Sequence, residues 1–403
     1  MGSHVNTIQY YEQPEGATIM YHFNFQNPVQ IIFGRGRFCE LGKIASEYGK
    51  KAMIVTYKGA PFQEFSERTT NYLAKCGLDT LLFDEVTQNP LASTVRRGAD
   101  LAAESGCDLI IGLGGGSAMD TAKGIAFLAG KEGDIFDYIF KQRFGNSALP
   151  ILLITTTAGT GSEGNCTAVF TNEKTKDKKG LVDPLIFPKV SLIDPEFMTT
   201  LPKHIIAGPG VDALFHAFES YISKKSNPVS EMYSLKAMEL IIPNLPDVYD
   251  NPENIDAWDK VVLANTLAGI AIGAAACTLP HALGQPVSGL LGSVHSDTLA
   301  AVYIEFMNYT APYCEEKFAR LAQLLGCDMQ SKNRHEAAME SSEYMQAFLE
   351  RVQMHKTLGS LGVQESDLDW LADNATNQMG AVLANNPVVP NRDEVKEFYR
   401  RCL

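Results

Sequence analysis

Near residue 195 the sequence changes character, and the change dictates the architecture. Up to that point short apolar, β-rich runs alternate with helical stretches. Lys51–Tyr57, Thr80–Asp84, Asp108–Gly112, Pro150–Thr155 and Lys189–Asp194 read as strands, with helical spacing over 62–75, 93–104 and 120–128. Consecutive strands separated by helices of this length must be joined by crossovers, so they form a parallel sheet. From about Leu201 the strand patterns stop and helical ones take over, over 230–242, 256–276, 315–325, 334–355 and 393–402. Pro195, Pro202 and Pro209 punctuate the change. A chain of 403 residues exceeds what one core usually serves. The expectation is an α/β domain over 1–196 and an all-helical domain over 197–403, with the cleft between them as the default site.

Composition removes several function classes. A net charge of −13 argues against nucleic acid as a partner. No apolar run approaches a membrane span, and Met1-Gly2-Ser3-His4 lacks the basic-then-apolar pattern of a signal peptide. The eight cysteines form no C-x-x-C pair and read as small buried hydrophobes of a reducing compartment. A cytoplasmic enzyme with no membrane or nucleic-acid partner fits these properties.

Two loops carry phosphate chemistry. Gly112-Leu113-Gly114-Gly115-Gly116-Ser117 lies between a strand and a helix. Without Cβ atoms its backbone can approach a pyrophosphate, and the helix start offers unpaired N–H groups. Glycine turns also serve purely steric ends. Ser117 replaces the last glycine of G-x-G-x-x-G, and the loop follows the third strand read here, not the first, so the usual Rossmann fingerprint does not describe it. The second loop, Thr155 to Glu163, offers hydroxyls at Thr156, Thr157, Thr160 and Ser162. It suits phosphate, ribose or amide contacts, but also a self-bonded tight turn.

Metal-binding residues gather in the second half. Asp212 and His216 stand at i and i+4, on one helix face, and His281 and His295 follow on later segments. One carboxylate and three imidazoles suit Fe²⁺ or Zn²⁺. A single histidine is more often structural; three of only eight, beside an aspartate in an apolar, glycine-rich region, are a stronger signal.

At these residues the chain resembles the iron-containing (group III) alcohol dehydrogenases, relatives of glycerol dehydrogenase and dehydroquinate synthase. Gly114-Gly115-Gly116-Ser117 with Asp120 and Lys123 is similar to the family's GGGS-x-x-D-x-x-K element, and Thr156 to Glu163 to its TTAGTGSE element. Asp212-Ala213-Leu214-Phe215-His216-Ala217 matches D-A-L-x-H-A, and His281 and His295 stand at the spacing of the third and fourth ligands. The similarity runs from Asn24-Phe25 and Gly34-Arg35-Gly36 through the helical half. It implies an N-terminal dinucleotide-binding α/β domain and a C-terminal helical metal-binding domain of the dehydroquinate-synthase type. It further implies a homodimer or larger homo-oligomer that uses NAD(P) and Fe²⁺ or Zn²⁺ on a small alcohol or aldehyde.

In that reading the metal at Asp212, His216, His281 and His295 acidifies an alcohol or polarises a carbonyl, while NAD(P) exchanges the hydride. The helix start at Gly114 to Ser117 anchors the pyrophosphate, and Asp120 and Ser162 belong to the same cofactor-binding set. Asn89 and the Thr155–Thr160 loop meet the ribose and nicotinamide end, and Lys179 faces a phosphate or ribose unless it is a solvated surface lysine. Three positions depart from the family. Gln285 stands where a second histidine often follows the third ligand, Tyr57 and Lys58 where an acidic residue meets the adenosine ribose, and Ser296 where a glycine follows the fourth ligand. The first puts proton transfer in question; Gln285 either serves the site or only bonds the backbone. The second opens the cofactor choice between NAD and NADP. Two alternatives use the same scaffold: a dehydroquinate-synthase-like lyase or reductase, and a non-catalytic metal- or nucleotide-binding protein. The segment 281–295 holds no Lys or Arg, which favours an uncharged substrate.

Overall fold

A computed structural model describes residues 22–403, so the Met1–His4 start lies outside the described residues. Among the described residues, eight strands occupy the first half: β1 Gln30–Phe33, β2 Lys51–Val55, β3 Asp79–Phe83, β4 Leu109–Gly114, β5 Ile151–Thr155, β6 Thr167–Thr171, β7 Lys178–Val182 and β8 Val190–Ile193. Six form one parallel sheet in the order β1-β8-β5-β4-β2-β3, and β6 and β7 pair antiparallel as a separate hairpin. Helices α1 Leu41–Ala45, α2 Phe62–Ala74, α3 Ala92–Glu104, α4 Gly116–Leu128 and α5 Ile135–Ile139 accompany them. Every residue of β4 and β5 is buried, because helices or the second half cover both sheet faces. Alternate side chains divide between two cores. Ile111, Leu113, Leu152 and Ile154 join the core shared with the helical half, and Ile110, Ile151 and Leu153 the one beneath α3 and α4.

From β2 the chain goes to β3 on one side and returns to β4 on the other. The carboxyl ends of β2 and β4 therefore flank a topological switch point, where an open α/β sheet leaves a crevice. The glycine-rich loop follows the fourth strand, since the sequence pattern misses β1. The hairpin is also missed.

After β8 the described residues hold no strand. The helices are α6 Lys203–Ile222, α7 Pro228–Asp250, α8 Ile255–Ala275, α9 Leu279–Leu291, α10 His295–Thr310, α11 Glu315–Leu324, α12 Arg334–Met339, α13 Ser341–Arg351, α14 Leu368–Asn377, α15 Gly380–Leu383 and α16 Arg392–Arg401. The stretch 334–355, expected as one helix, is two, broken at Glu340 where the Ser341 hydroxyl donates to the Ala338 carbonyl. Helix α6 is buried almost all round from Ile206 to Ile222, the mark of a central helix. Among the described residues no single helix is long and apolar enough to cross a membrane. The cysteines are more varied than expected: Cys39 and Cys76 are exposed and Cys277 and Cys314 half-buried, and none is in a disulfide.

The two halves meet where the loop after β5 lies on α8. Gly161 takes φ +58, and a Cβ on Gly269 would sit 2.0 Å from the Gly161 carbonyl oxygen. Only two glycines permit this approach. Gly269→Ala is expected to destabilise the protein by about 1–3 kcal/mol through overpacking, read as a lower urea midpoint. An unshifted midpoint would show that loop and helix do not touch in solution.

Candidate active site

The crevice is a cavity of about 1170 Å³ that runs from Tyr57 to the histidines of the helical half. At its sheet end β4 passes directly into α4. Gly114 adopts φ +149, and a Cβ there would lie 2.9 Å from the Tyr57 ring. Gly115, Gly116 and Ser117 line the cavity, and no N-cap side chain takes up the first amides of α4, so those of Gly116 and Ser117 can meet an anion. Tyr57 covers this turn, its hydroxyl directed to Ser117 and the Ala118 amide, with its pKa raised by burial.

Thr156, Thr157, Thr160 and Ser162 all reach the cavity. Their loop is not a free turn; a buried lysine holds it. Lys123 is fully buried, and its ammonium donates to Ser162 O (2.6 Å), Ser162 Oγ (2.8 Å), Thr167 O (2.8 Å) and Asn165 O (3.0 Å). Burial lowers its pKa to about 8, with Asp120 opposing. Asp120 accepts from Ser162 Oγ (2.7 Å) and from the Val169 amide (2.8 Å). Asp120 Oδ1 and the Ser162 hydroxyl therefore brace the loop while Oδ2 holds β6, and both residues, expected to contact the cofactor, line the cavity.

At the helical end Asp212 and His216 lie on α6, His281 on α9 and His295 at the start of α10. His216 Nε2 and His281 Nε2 are 3.0 Å apart, and Asp212 Oδ1 stands 3.6 Å and 3.9 Å from them. Ligands at about 2.1 Å in a tetrahedron stand about 3.4 Å from one another, so this spacing fits one divalent cation. Ligand atoms of Asp212, His281 and His295 also lie within 4.8 Å of one another. Asp212 Oδ1 and His295 Nδ1 are buried without a hydrogen-bond partner, as groups awaiting a cation would be.

The outer ring nitrogens are held. His216 Nδ1 faces the Gly159 carbonyl at 3.2 Å, and His281 Nδ1 the Glu219 carboxylate at 2.8 Å. Both bonds turn Nε2 inward. Burial lowers the pKa of His216, and of His295 far more, leaving both neutral and able to ligate. Burial raises Asp212. It would lower His281 too, but the Cys277 sulfur and Glu219 outweigh it and the pKa lies well above the ordinary value. Sequence reasoning missed Glu219, although Asp212, His216 and Glu219 at i, i+4 and i+7 share one face of α6.

Lys179 is a correction. Its ammonium lies 4.9 Å above the Phe140 ring, away from the cavity, because side chains alternate along β7. Its neighbour Lys178 points in instead, buried and donating to Asn89 Oδ1 (2.8 Å) and Ser288 Oγ (3.0 Å). The 281–295 segment thus does have a cation beside it, brought by the hairpin. Asn89, at φ +57, lines the cavity, but its amide is committed to Lys178 and to the Ser293 carbonyl at 3.3 Å. Gln285, one turn after His281, lines the cavity with its side-chain oxygen unpartnered, so that oxygen is not used on the backbone. Ser296 fits because a Cβ at Gly208 would be 2.6 Å from its hydroxyl; the glycine leaves the room.

Residues 28–195 match the family described as iron-containing alcohol dehydrogenase, and 206–403 the C-terminal family of Fe-containing alcohol dehydrogenases. The chain is 34% identical to a 1,3-propanediol dehydrogenase of Citrobacter freundii, over 94% of this chain and 98% of that one. It is 31% identical to the NAD-dependent methanol dehydrogenase of Bacillus methanolicus, over 94% and 100%. Its structure matches that of an archaeal halo-thermophilic alcohol dehydrogenase from a Red Sea brine pool with a TM-score of 0.91 and 30% identity, covering 96% of this chain and 100% of that one.

Glu219→Gln keeps the shape but weakens the hold on His281. It is expected to lower metal affinity about 10- to 100-fold, measured by chelator competition; unchanged affinity would detach Glu219 from the centre.

Proposed function

The chain belongs to the iron-containing alcohol dehydrogenase family, and from that premise we propose how its residues divide the work. The protein is a metal-dependent oxidoreductase that acts on alcohols and uses NAD. Asp212, His216, His281 and His295 hold the divalent cation, supported above all by the mutual approach of Asp212 Oδ1 and the two Nε2 atoms. Bound there, the cation supplies Lewis acidity to an alcohol or carbonyl oxygen, and NAD supplies the hydride acceptor. Iron is the family's metal, and the nitrogen–oxygen set also accepts Zn²⁺.

Gly115, Gly116 and Ser117 bind the pyrophosphate at the start of α4. Lys123 and Asp120 fix the loop that offers Thr157 and Thr160 toward the nicotinamide end. Gln285 gives an amide to the substrate oxygen and, having no ionisable proton, leaves proton release to water. Tyr57 places no negative charge near the adenosine ribose, so NADPH is accepted beside NADH. The substrate is a small alcohol or aldehyde and the working enzyme a cytoplasmic homodimer or larger assembly, with the division between its halves at residue 196. The lyase alternative is not favoured, since the relatives matched over nearly the whole chain are alcohol dehydrogenases.

The test is a panel of primary alcohols, diols and aldehydes assayed with both cofactors after metal analysis. Turnover should require Fe²⁺ or Zn²⁺, and His295→Ala should lose most bound metal and nearly all activity. Full occupancy and normal turnover in that variant would sink the ligand set. NADH preferred over NADPH by more than about a hundredfold in kcat/KM, roughly 2.7 kcal/mol, would sink the cofactor reading.

Lys178 gives the site a pH dependence. Burial lowers its pKa to about 8, while Asp212 and Asp120 oppose. Its positive charge is therefore present at pH 7 and lost as pH rises through about 8. Affinity for the anionic cofactor should fall about tenfold between about pH 7 and 9.5, the scale of one partly screened charge pair. Lys178→Gln should bind weakly throughout and flatten the profile; an unchanged profile would remove Lys178 from the cofactor site.

A further inference from the structure

We propose that Cys277 is an additional ligand of the same metal centre, offering His216 and His281 a sulfur partner for a thiophilic divalent cation. This deepens the metal reading above and rests on it. Cys277 lies in the three-residue link between α8 and α9, and it is the cysteine that lines the cavity. The sulfur, a His216 nitrogen and a His281 nitrogen all lie within 4.8 Å of one another.

The placement is enforced, not incidental. Ala276, just before it, adopts φ +60 and ψ 171, a conformation nearly reserved for glycine. Side chains from separate parts of the helical half hold that strained link. Ser223 Oγ donates to Ala275 O (2.6 Å), Asn385 Nδ2 to Cys277 O (3.0 Å), and the Thr278 amide to Glu219 Oε2 (2.8 Å). Glu219 thus orients His281 with one oxygen and fixes the residue after Cys277 with the other. The same centre contains the Asp212 carboxylate, only 3% exposed, with Oδ1 lacking a hydrogen-bond partner.

As the metal–sulfur bond forms, the thiol proton passes to solvent. A sulfur ligand shifts the preference of the site toward Zn²⁺ and Co²⁺ and away from Mg²⁺ and Mn²⁺. Wild-type full-length apoprotein loaded with Co²⁺ should show visible d–d bands and a near-ultraviolet thiolate-to-cobalt charge-transfer band. Cys277→Ser and Cys277→Ala should keep the d–d bands and lose the charge-transfer band, with apoprotein melting curves as the control for folding. X-ray absorption of the Zn²⁺-loaded wild type should find a scatterer at about 2.3 Å, replaced in both variants by nitrogen or oxygen at about 2.0–2.1 Å. Cobalt bound without a charge-transfer band, or a band that persists in the variants, overturns this inference and leaves the metal site standing. No cobalt binding by the wild type overturns both.

Discussion

The site depends on one seam, where the loop after β5 is buried against α8. Glu163 is fully buried there and its Oε1 accepts from Asn265 Nδ2 (2.7 Å) and Thr266 Oγ1 (2.9 Å). Asn265 Oδ1 accepts from the Gly161 amide (3.0 Å), and Asn165 Nδ2 donates to the Gly269 carbonyl (3.1 Å). On its other side the loop is held by Lys123 of α4. One short segment thus ties α4 to the helical bundle that carries Asp212, His216, His281 and His295. If it slid by an ångström, the two ends of the cleft would fall out of register, and hydride transfer tolerates little such error.

The loop is fastened by charge, although apolar packing would be cheaper. Lys123 and Glu163 are both fully buried, and burial shifts each toward its neutral form, lowering the lysine and raising the carboxyl. For Lys123 the sign is definite. Its pKa near 8 lies below the unfolded value of about 10.4. The unfolded chain binds more protons between those limits, so the cost of burying the ammonium is present at neutral pH and relieved only as pH rises. Hydrophobic replacements of similar volume often stabilise such sites. What they lack is direction: one ammonium fixes the carbonyls of Ser162, Asn165 and Thr167 together, and these residues line the cleft.

How much of this could be read from the residues followed from how local each signal was. β4 and β5 are covered on both faces, so they appear as unbroken apolar runs. β1 has four residues at the sheet edge, and the β6–β7 hairpin stands outside the main sheet, so neither leaves such a run. That gap produced the error at Lys179. In the sequence Lys178-Lys179-Gly180 either lysine can face inward, and a one-residue slip of register reverses the answer. Asp212 and His216 were legible because helical spacing puts them on one face, and Glu219 followed the same rule without being read. Asp120 and Ser162 sit in motifs that suggest contact with the cofactor, and both line the cavity; that their hydrogen bonds also hold neighbouring segments is not visible in spacing. Cys277 was hidden among eight scattered cysteines until the α8–α9 link brought it beside two histidines.

Gln285 is best understood through its surroundings. It stands one helical turn after His281 in a wall where burial already drives His216 and His295 toward neutrality. A histidine at 285 would meet the same desolvation, and a cation held as proposed by Asp212, His216, His281 and His295 would repel its protonated form further. Such an imidazole would be neutral over most of the working pH range, contributing one donor and one acceptor. Glutamine supplies both functions without a proton equilibrium. Its buried, unpartnered oxygen costs about 1–3 kcal/mol and leaves a free acceptor on the cavity wall. The departure from the family's pattern therefore preserves the hydrogen bonding of this position and removes only its titration.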